Sequence, residues 1–193
     1  MTQAQALAIL KTGANVFLTG EPGSGKTHTI NEYVAYLRSH DIEPAITAST
    51  GIAATHIGGM TIHSWSGIGI KSSLSEYDLD RIASSEYISK RIRRTKILII
   101  DEVSMLSPET LSMVDAVCRE VKQNQAPWGG MQIVCVGDFF QLPPVSKNVP
   151  RSEEVIDALF EVSESQSRFA YASPAWKKAT VLHCYLTEQH RQD

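Results

Sequence analysis

The sequence predicts an α/β fold in which a mainly parallel sheet is flanked by helices. Short apolar runs stop at glycine, aspartate or a polar residue and alternate with helical patterns along the chain. Continuous apolar strands are typical of parallel sheets covered on both faces. Alternation of such strands with helices favours right-handed crossovers in one sheet. The candidate strands are residues 16–18, 44–48, 97–100, 132–136 and 181–186.

Two helices are clear in the same pattern. One is predicted from about Lys26 to Ser39. Another begins at Ser107 and Pro108, where a serine N-cap precedes a proline at the first helical position. Its apolar residues then recur on one face at helical spacing, which predicts a helix lying on the sheet. Those residues are Leu111, Val114, Val117, Cys118 and Val121.

Composition and charge exclude several classes of protein. The 193 residues carry 18 Lys+Arg against 21 Asp+Glu, a net charge of −3, which excludes a globally basic nucleic-acid coat but not a local basic groove. No apolar run approaches the ~18 residues that a membrane span needs. The first residues lack the pattern of a signal peptide. The three cysteines have no metal-ligand spacing and are expected to be buried free thiols in a reducing cytosol.

A phosphate-binding loop follows the first strand. Residues 20–27 match G-x-x-x-x-G-K-[ST] at every fixed position, between a predicted strand and a predicted helix. Glycines let the backbone point several N–H groups at one phosphate, and the helix N-terminus adds partial positive charge. Lys26 is expected to reach the β- and γ-phosphates and the Thr27 hydroxyl to bind Mg²⁺. The nucleotide-binding candidates in this loop are Gly20, Gly23, Ser24, Gly25, Lys26 and Thr27.

Two carboxylates follow the strand at residues 97–100. In open α/β sheets ligands bind at the carboxyl ends of the strands, where Asp101 and Glu102 lie. Asp101 is expected to hold Mg²⁺ and Glu102 to orient or deprotonate an attacking water. Alone, the pair could be a solvated acidic turn. Beside a complete phosphate loop it indicates hydrolysis of a nucleotide by water.

Residues 137–145, which follow the fourth strand, resemble motif III of the Pif family of DNA helicases in superfamily 1B. The runs G-D-F-F-Q-L-P-P and T-I-H-S-W are far more specific to that family than the phosphate loop is. Further segments resemble other motifs of the family in the same order along nearly the whole chain. They are residues 20–27 (motif I), 50–54 with 58–59 and 61–65 (motif Ia and its neighbour), 101–105 (motif II), and 173–176 with 186–192 (the approach to motif IV).

The resemblance implies a RecA-like P-loop NTPase lobe of an ATP-dependent 5′-to-3′ DNA helicase. In such lobes the sensor strand lies between the phosphate-loop strand and the acidic-pair strand. Gln3 would read adenine, the Gln141 amide would sense the γ-phosphate, and Arg191 would contact the γ-phosphate. The expected catalytic residues are Lys26, Glu102, Gln141 and Arg191, with ATP and Mg²⁺ as cofactors.

The resemblance also implies partners. ATP would be closed over by a second RecA-like lobe, whose motifs are absent, so residues 1–193 are expected to be a fragment without full unwinding activity. Single-stranded and forked DNA are the expected substrates, in replication, repair or recombination. Residues 66–96, which lack a strand pattern, fall where the family places a small inserted wedge element. The chain is expected to be a monomer, cytoplasmic if bacterial, with a nuclear or mitochondrial location left open.

The expected DNA face mixes small hydrogen-bonding residues with aromatics, which suits a motor that grips backbone phosphates without reading bases. Trp65 could instead be a core aromatic, and His63 a structural histidine. We expect one of Phe139 and Phe140 to be buried and the other to lie near the strand. The candidates are Thr50, Gly51, Thr61, His63, Ser64, Trp65, Phe139 and Phe140.

Other functions fit less well. The basic residues at 90–96 could contact DNA or could form a solvated helix end. A stand-alone nucleotide switch, a P-loop kinase or a clamp-loader-type ATPase would share the phosphate loop. The Asp101–Glu102 pair and Gln141 argue against a kinase, and the motif III run argues against a clamp loader. Intact Lys26 and Glu102 argue against a non-enzymatic DNA-binding relic.

Overall fold

The computed structural model describes residues 1–140 and 168–188. The predicted strands and both predicted helices are present at the expected places. The strands are β1 (Val16–Gly20), β2 (Ala45–Ala48), β3 (Met60–Thr61), β4 (Ile97–Asp101), β5 (Gln132–Val136) and β6 (Leu182–Leu186). The α-helices are α1 (Gln3–Leu10), α2 (Lys26–Ser39), α3 (Gly51–His56), α4 (Ile62–Ser66), α5 (Glu76–Ser84), α6 (Glu86–Arg94), α7 (Pro108–Lys122) and α8 (Pro174–Lys178).

The strands form a six-stranded sheet in the order β3-β2-β4-β5-β1-β6. Every neighbouring pair is parallel. The two-residue strand β3 was not predicted, because a strand that short leaves no periodic pattern in the sequence. The strand β5 lies between β1 and β4, which is the position that the family resemblance implies for the sensor strand.

The sheet buries apolar residues on both faces, because successive side chains of a strand point to opposite sides. On β4, Leu98 and Ile100 belong to the core cluster that includes helix α7. Ile97 and Ile99 belong to the second cluster, which includes residues of α1 and α2. The continuous apolar run therefore reflects a strand covered on both sides, as predicted.

Helix α7 begins as the sequence predicts. The Ser107 hydroxyl accepts a hydrogen bond from the backbone N–H of Thr110 at 3.2 Å, and Pro108 occupies the first turn. The helix ends at Lys122, and Gln123 follows in the left-handed region with φ of 50°. The face that includes Leu111 and Val114 is buried against the sheet.

Residues 66–96 form helices α5 and α6 rather than strands. Ile82 and Ile92 lie in the same core cluster as α7, so both helices pack onto the body of the domain. The hydroxyl and backbone N–H of Ser75 bond to the Asp78 carboxylate, which accounts for a capped start to α5. This segment is therefore an ordered addition to the sheet face.

The carboxyl ends of the parallel strands converge at one edge of the sheet. The segments leaving β1, β2, β4 and β5 all start there, as open parallel sheets require of their ligand-binding edge. The three cysteines are buried and unpaired, as expected. None of the helices in the described ranges 1–140 and 168–188 has the length and apolar character needed to cross a membrane.

Candidate functional site

The phosphate loop leaves β1 with glycines in conformations that other residues rarely adopt. Gly23 has φ of 81° and Gly25 has φ of 89°. Gly25 is the N-cap of α2, and no side chain caps that helix end. The first-turn N–H groups of α2 are thus left for a ligand, and together with the helix dipole they favour an anion.

Lys26 lies back across the loop that precedes it. Its Nζ donates to the carbonyl oxygens of Gly20 at 2.6 Å and Glu21 at 3.2 Å. The Ser24 hydroxyl is buried without a hydrogen-bond partner in the part of the chain that the structure describes. A phosphate seated in the loop supplies the kind of acceptor that such a group lacks, so the loop fits a nucleotide phosphate.

The acidic pair lies opposite this loop. Asp101 ends β4, and Glu102 follows in the left-handed region with φ of 52°. The backbone N–H of Glu102 donates to Oδ1 of Asp101 at 2.9 Å. Burial raises the pKa of Asp101, although this N–H and the Lys26 ammonium oppose the rise. Burial and the charge of Asp101 likewise raise the pKa of Glu102.

One cavity of about 710 Å³ collects these groups. Its volume lies in the range of roughly 300–1,000 Å³ that is usual for small-molecule sites. It brings together the predicted residues Gln3, Gly23, Gly25, Lys26, Thr27, Asp101 and Glu102. Gly20 and Ser24 do not line it, but their carbonyls hold Lys26 and Gln3 in place.

Sequence analysis missed two residues of this cavity. Asp138 follows β5 and lines the cavity, and its charge contributes to the raised pKa of Glu102. His28 lines it from the first turn of α2. A polar residue directly after a central strand was the available signal for Asp138, since the same signal identified Asp101. For His28 no signal was available beyond its place after the loop.

A divalent cation has suitable donors here. The Thr27 hydroxyl and the Asp101 carboxylate both line the cavity, and oxygen is the ligand that Mg²⁺ prefers. Mg²⁺ usually keeps several waters and takes its remaining ligands from the phosphates rather than from a protein cage. Consistent with that, no group of three or more His, Cys, Asp or Glu residues able to hold a metal occurs among the described residues.

The predicted DNA-binding threonines begin two short helices. The Thr50 hydroxyl accepts from the N–H of Ala53, and the Thr61 hydroxyl from the N–H of Ser64, each at 3.2 Å. Thr61, His63 and Ser64 line a second cavity of about 910 Å³. Thr50 and Gly51 lie outside that cavity, at the start of α3. Burial lowers the pKa of His63, which favours its neutral form.

Trp65 is a core residue, which corrects the expectation that it stacks on a base. Its side chain is 2% exposed and belongs to the main core cluster. Stacking needs an open ring face, and a buried indole has none to offer. The alternative noted from sequence, an aromatic beneath the loop, is the arrangement that the structure shows.

The two phenylalanines after β5 have different surroundings. Phe139 packs among the rings of Phe17, Phe169, Tyr171 and Trp176, at centroid distances of 4.9–6.0 Å. Phe140 is 97% exposed. The expected division between a packed and an open ring is therefore observed, and the structure identifies Phe140 as the open one.

The basic segment at 90–96 is only partly free for a ligand. Arg91 donates through Nη2 to the carbonyls of Ser64 at 2.9 Å and Trp65 at 2.5 Å. Arg93 donates to the carbonyl of Val121 at 3.3 Å. These two arginines join α6 to the rest of the domain, which favours the structural interpretation for them. Lys90, Arg94 and Lys96 are exposed.

Two predicted site residues, Gln141 and Arg191, lie outside the described residues. Their expected roles toward the γ-phosphate therefore remain predictions. The strand and turn that lead to Gln141 do reach the cavity, because Val136, Gly137 and Asp138 line it.

Comparison with known proteins points to one family. The family model described as PIF1-like helicase matches residues 2–193. The ATP-dependent DNA helicase Pif1 of Psychrobacter sp. (strain PRwf-1) is 52% identical over 192 residues, which are 100% of this chain and 27% of that protein. The chain thus spans about a quarter of that relative's length.

Two solved structures have the same architecture. The Pif1 helicase from Candida albicans matches with a TM-score of 0.84 and 34% identity, over 98% of this chain and 40% of that one. A Pif1 helicase from Bacteroides in complex with ADP-AlF3 and ssDNA matches with a TM-score of 0.77 and 32% identity, over 98% of this chain and 42% of that one.

Proposed function

The chain belongs to the PIF1-like helicase family, and we propose that it is the ATP-binding and ATP-hydrolysing motor lobe of an ATP-dependent 5′-to-3′ DNA helicase. One observation carries the proposal. The phosphate-loop lysine Lys26, the hydroxyl of Thr27 and the carboxylates of Asp101 and Glu102 all line one cavity. The polarity rests on the family resemblance alone.

The roles of these residues follow from their chemistry. Lys26 and the uncapped N–H groups of α2 bind the phosphates and offset their charge. Thr27 and Asp101 would hold Mg²⁺, which when bound neutralises charge on the phosphate oxygens. Glu102 orients the attacking water and accepts its proton. Its raised pKa makes it a stronger base than an exposed glutamate while leaving it ionised near neutral pH.

A single strand of DNA is the proposed polymer substrate. Thr61, His63 and Ser64 line the 910 Å³ cavity beside the carboxyl edge of the sheet, and Phe140 offers an open aromatic ring nearby in sequence to Asp138. Hydroxyls and backbone N–H groups can hold phosphates, and an aromatic ring can stack on any base. Such contacts suit sequence-independent translocation.

Complete activity requires parts beyond this chain. We propose that a second RecA-like lobe closes over the ATP, that Arg191 and Gln141 then contact the γ-phosphate, and that residues 66–96 act as the wedge element at forked DNA. Unwinding would serve replication, repair or recombination, with the protein acting as a monomer. Its compartment would be the one that holds its DNA, the cytoplasm in a bacterium and the nucleus or mitochondrion otherwise.

The test is a fluorescence-anisotropy titration of labelled oligo-dT with this chain, with and without a non-hydrolysable MgATP analogue. A matched duplex is the control ligand, and the Lys26→Ala chain is the control protein. The proposal predicts salt-sensitive binding that prefers the single strand and changes with nucleotide in the wild type only. Equal binding to single strand and duplex, unaffected by nucleotide, would contradict a DNA track on this lobe.

A further inference from the structure

We infer that Glu188 is a positioning residue for Gln3 and thereby determines how strongly the nucleotide cavity prefers adenine. The inference rests on the proposed function, since it concerns the base of the bound nucleotide. Glu188 lies two residues beyond the end of β6, and Gln3 is the first residue of α1. The two are far apart in sequence and meet beside the phosphate loop.

The first observation is a direct hydrogen bond. The backbone N–H of Gln3 donates to Oε2 of Glu188 at 3.1 Å. This N–H belongs to the first turn of α1, where backbone donors have no partner within the helix. A carboxylate at that end accepts a charge-assisted bond and interacts favourably with the helix dipole. Glu188 therefore fixes the backbone at the start of α1.

The second observation concerns the side chain of Gln3. Its Nε2 donates to the carbonyl of Ser24 at 3.3 Å. A Cβ on Gly25 would come within 2.0 Å of that same nitrogen, so the amide lies directly against the phosphate loop. Gln3 is thus held at its backbone by Glu188 and at its side chain by Ser24, and it lines the nucleotide cavity.

The remaining hydrogen-bonding capacity of Gln3 suits adenine. A carboxamide has two N–H donors and one carbonyl acceptor, and only one donor is used on Ser24. The other donor and the carbonyl match the N7 acceptor and the N6 amino donor of adenine. Guanine presents an acceptor where adenine presents its amino group. A correctly placed Gln3 would therefore discriminate between the two bases.

The placement of Glu188 depends on the sheet. Leu186 pairs with Gly20, the residue at which β1 enters the phosphate loop. A Cβ on Gly20 would lie 2.8 Å from the Leu186 carbonyl and 2.6 Å from the Ser24 hydroxyl, so the two strands and the loop pack tightly. Apolar contacts of Ala6 and Leu10 in the second core cluster hold α1, while Glu188 holds its first residue.

The experiment measures the Kd of the magnesium complexes of ATP and GTP analogues for this chain and for Glu188→Ala, Glu188→Gln and Gln3→Ala. We expect the ratio of the GTP to the ATP constant to fall by about three- to tenfold in Glu188→Ala, the effect of losing roughly one hydrogen bond. Glu188→Gln keeps an acceptor and should restore most of the preference. Glu43→Ala, which removes an exposed carboxylate paired with Arg38, should leave the ratio unchanged.

A double substitution separates positioning from a general structural effect. If Glu188 acts through Gln3, Glu188→Ala adds nothing to the loss of preference in Gln3→Ala. Additive losses, or an unchanged ratio in Glu188→Ala, would overturn the inference. Should Glu188→Ala fold poorly, the Glu188→Gln ratio and the Gln3→Ala background still decide. Failure of the wild type to bind either nucleotide would instead overturn the proposed function.

Discussion

The backbone N–H of Glu102 donates to the Asp101 carboxylate across 2.9 Å, with Glu102 itself in the left-handed region. Non-glycine residues seldom adopt that conformation, and it costs of order 1 kcal/mol. The turn directs adjacent carboxylates into one cavity beside Lys26. The geometry separates two roles, a carboxylate for a cation and a carboxylate for water, within two consecutive residues.

Lys26→Ala is predicted to abolish MgATP binding. The ammonium group is held at the mouth of the loop by the Gly20 and Glu21 carbonyls, and without it the phosphate charge is not compensated. Isothermal titration calorimetry with a non-hydrolysable analogue measures the affinity. Lys11→Ala removes an exposed lysine that lies over the Tyr36 ring and serves as the control. An affinity of Lys26→Ala close to that of the wild type would refute the assigned role.

Glu102→Gln is predicted to retain nucleotide binding and to stop hydrolysis in a protein that includes the second lobe. Glutamine keeps the size of the side chain but cannot accept a proton from water, and the loss of a general base typically costs about 10²–10⁴ in rate. Single-turnover ATP hydrolysis measures the chemistry apart from binding. Hydrolysis at the wild-type rate would show that another group is the base.

Asp101→Asn is predicted to raise the melting temperature of the nucleotide-free chain at pH 7. Burial raises the pKa of Asp101 in the fold, so the folded state holds this proton to higher pH than the unfolded state does. The associated stability is complete below the ordinary aspartate pKa and is lost as the pH rises through the folded value. Asparagine does not titrate and keeps the acceptor for the Glu102 N–H.

Melting curves of both chains across the acid range check this sign. The gain in Asp101→Asn should be present at neutral pH and vanish in acid, below the range where carboxylates titrate. Glu43→Gln is the matched control of opposite sign, because the Arg38 hydrogen bond lowers the pKa of Glu43. That control should lose a little stability at neutral pH, as expected for an exposed pair. A gain in Asp101→Asn that persists in acid would disprove the electrostatic cause.

Trp65→Ala is predicted to destabilise the domain by about 3–5 kcal/mol, as expected for a large aromatic removed from a core. Trp65→Phe fills most of the space and should cost less, while leaving the affinity for oligo-dT unchanged. Chemical denaturation gives the free energy of unfolding, and anisotropy gives the affinity. Full stability combined with lost DNA binding in Trp65→Phe would restore the stacking role that its burial argues against.

Phe140→Ala is predicted to weaken binding to oligo-dT by about 1–3 kcal/mol, the worth of one stacked base, without lowering the melting temperature. The ring is almost fully exposed, so the fold loses no packing. Phe139→Ala is the matched variant, because that ring packs against Phe17 and Trp176. It should lower stability instead. The reverse outcome for the pair would contradict the assignment of the open ring to the DNA.

Much of the fold could be read from local patterns. The strands β1, β4 and β5 and the helices α2 and α7 have strong signals, because apolar runs, an N-cap at Ser107 and a glycine-rich loop act within a few residues of one another. The nucleotide residues Lys26, Asp101 and Glu102 followed from the same rule that strand ends meet at one edge. Strand β3 did not follow, because two residues show no period.

The sequence by itself determined the α/β class, the phosphate loop and the acidic pair, since each depends on a short run of residues and on the chemistry that those residues share. Only the tertiary structure decided that Trp65 is buried, that Phe140 rather than Phe139 is open, that Asp138 joins the cavity and that Glu188 meets Gln3. Burial and such long-range contacts depend on elements that are distant along the chain, so no local pattern contains them.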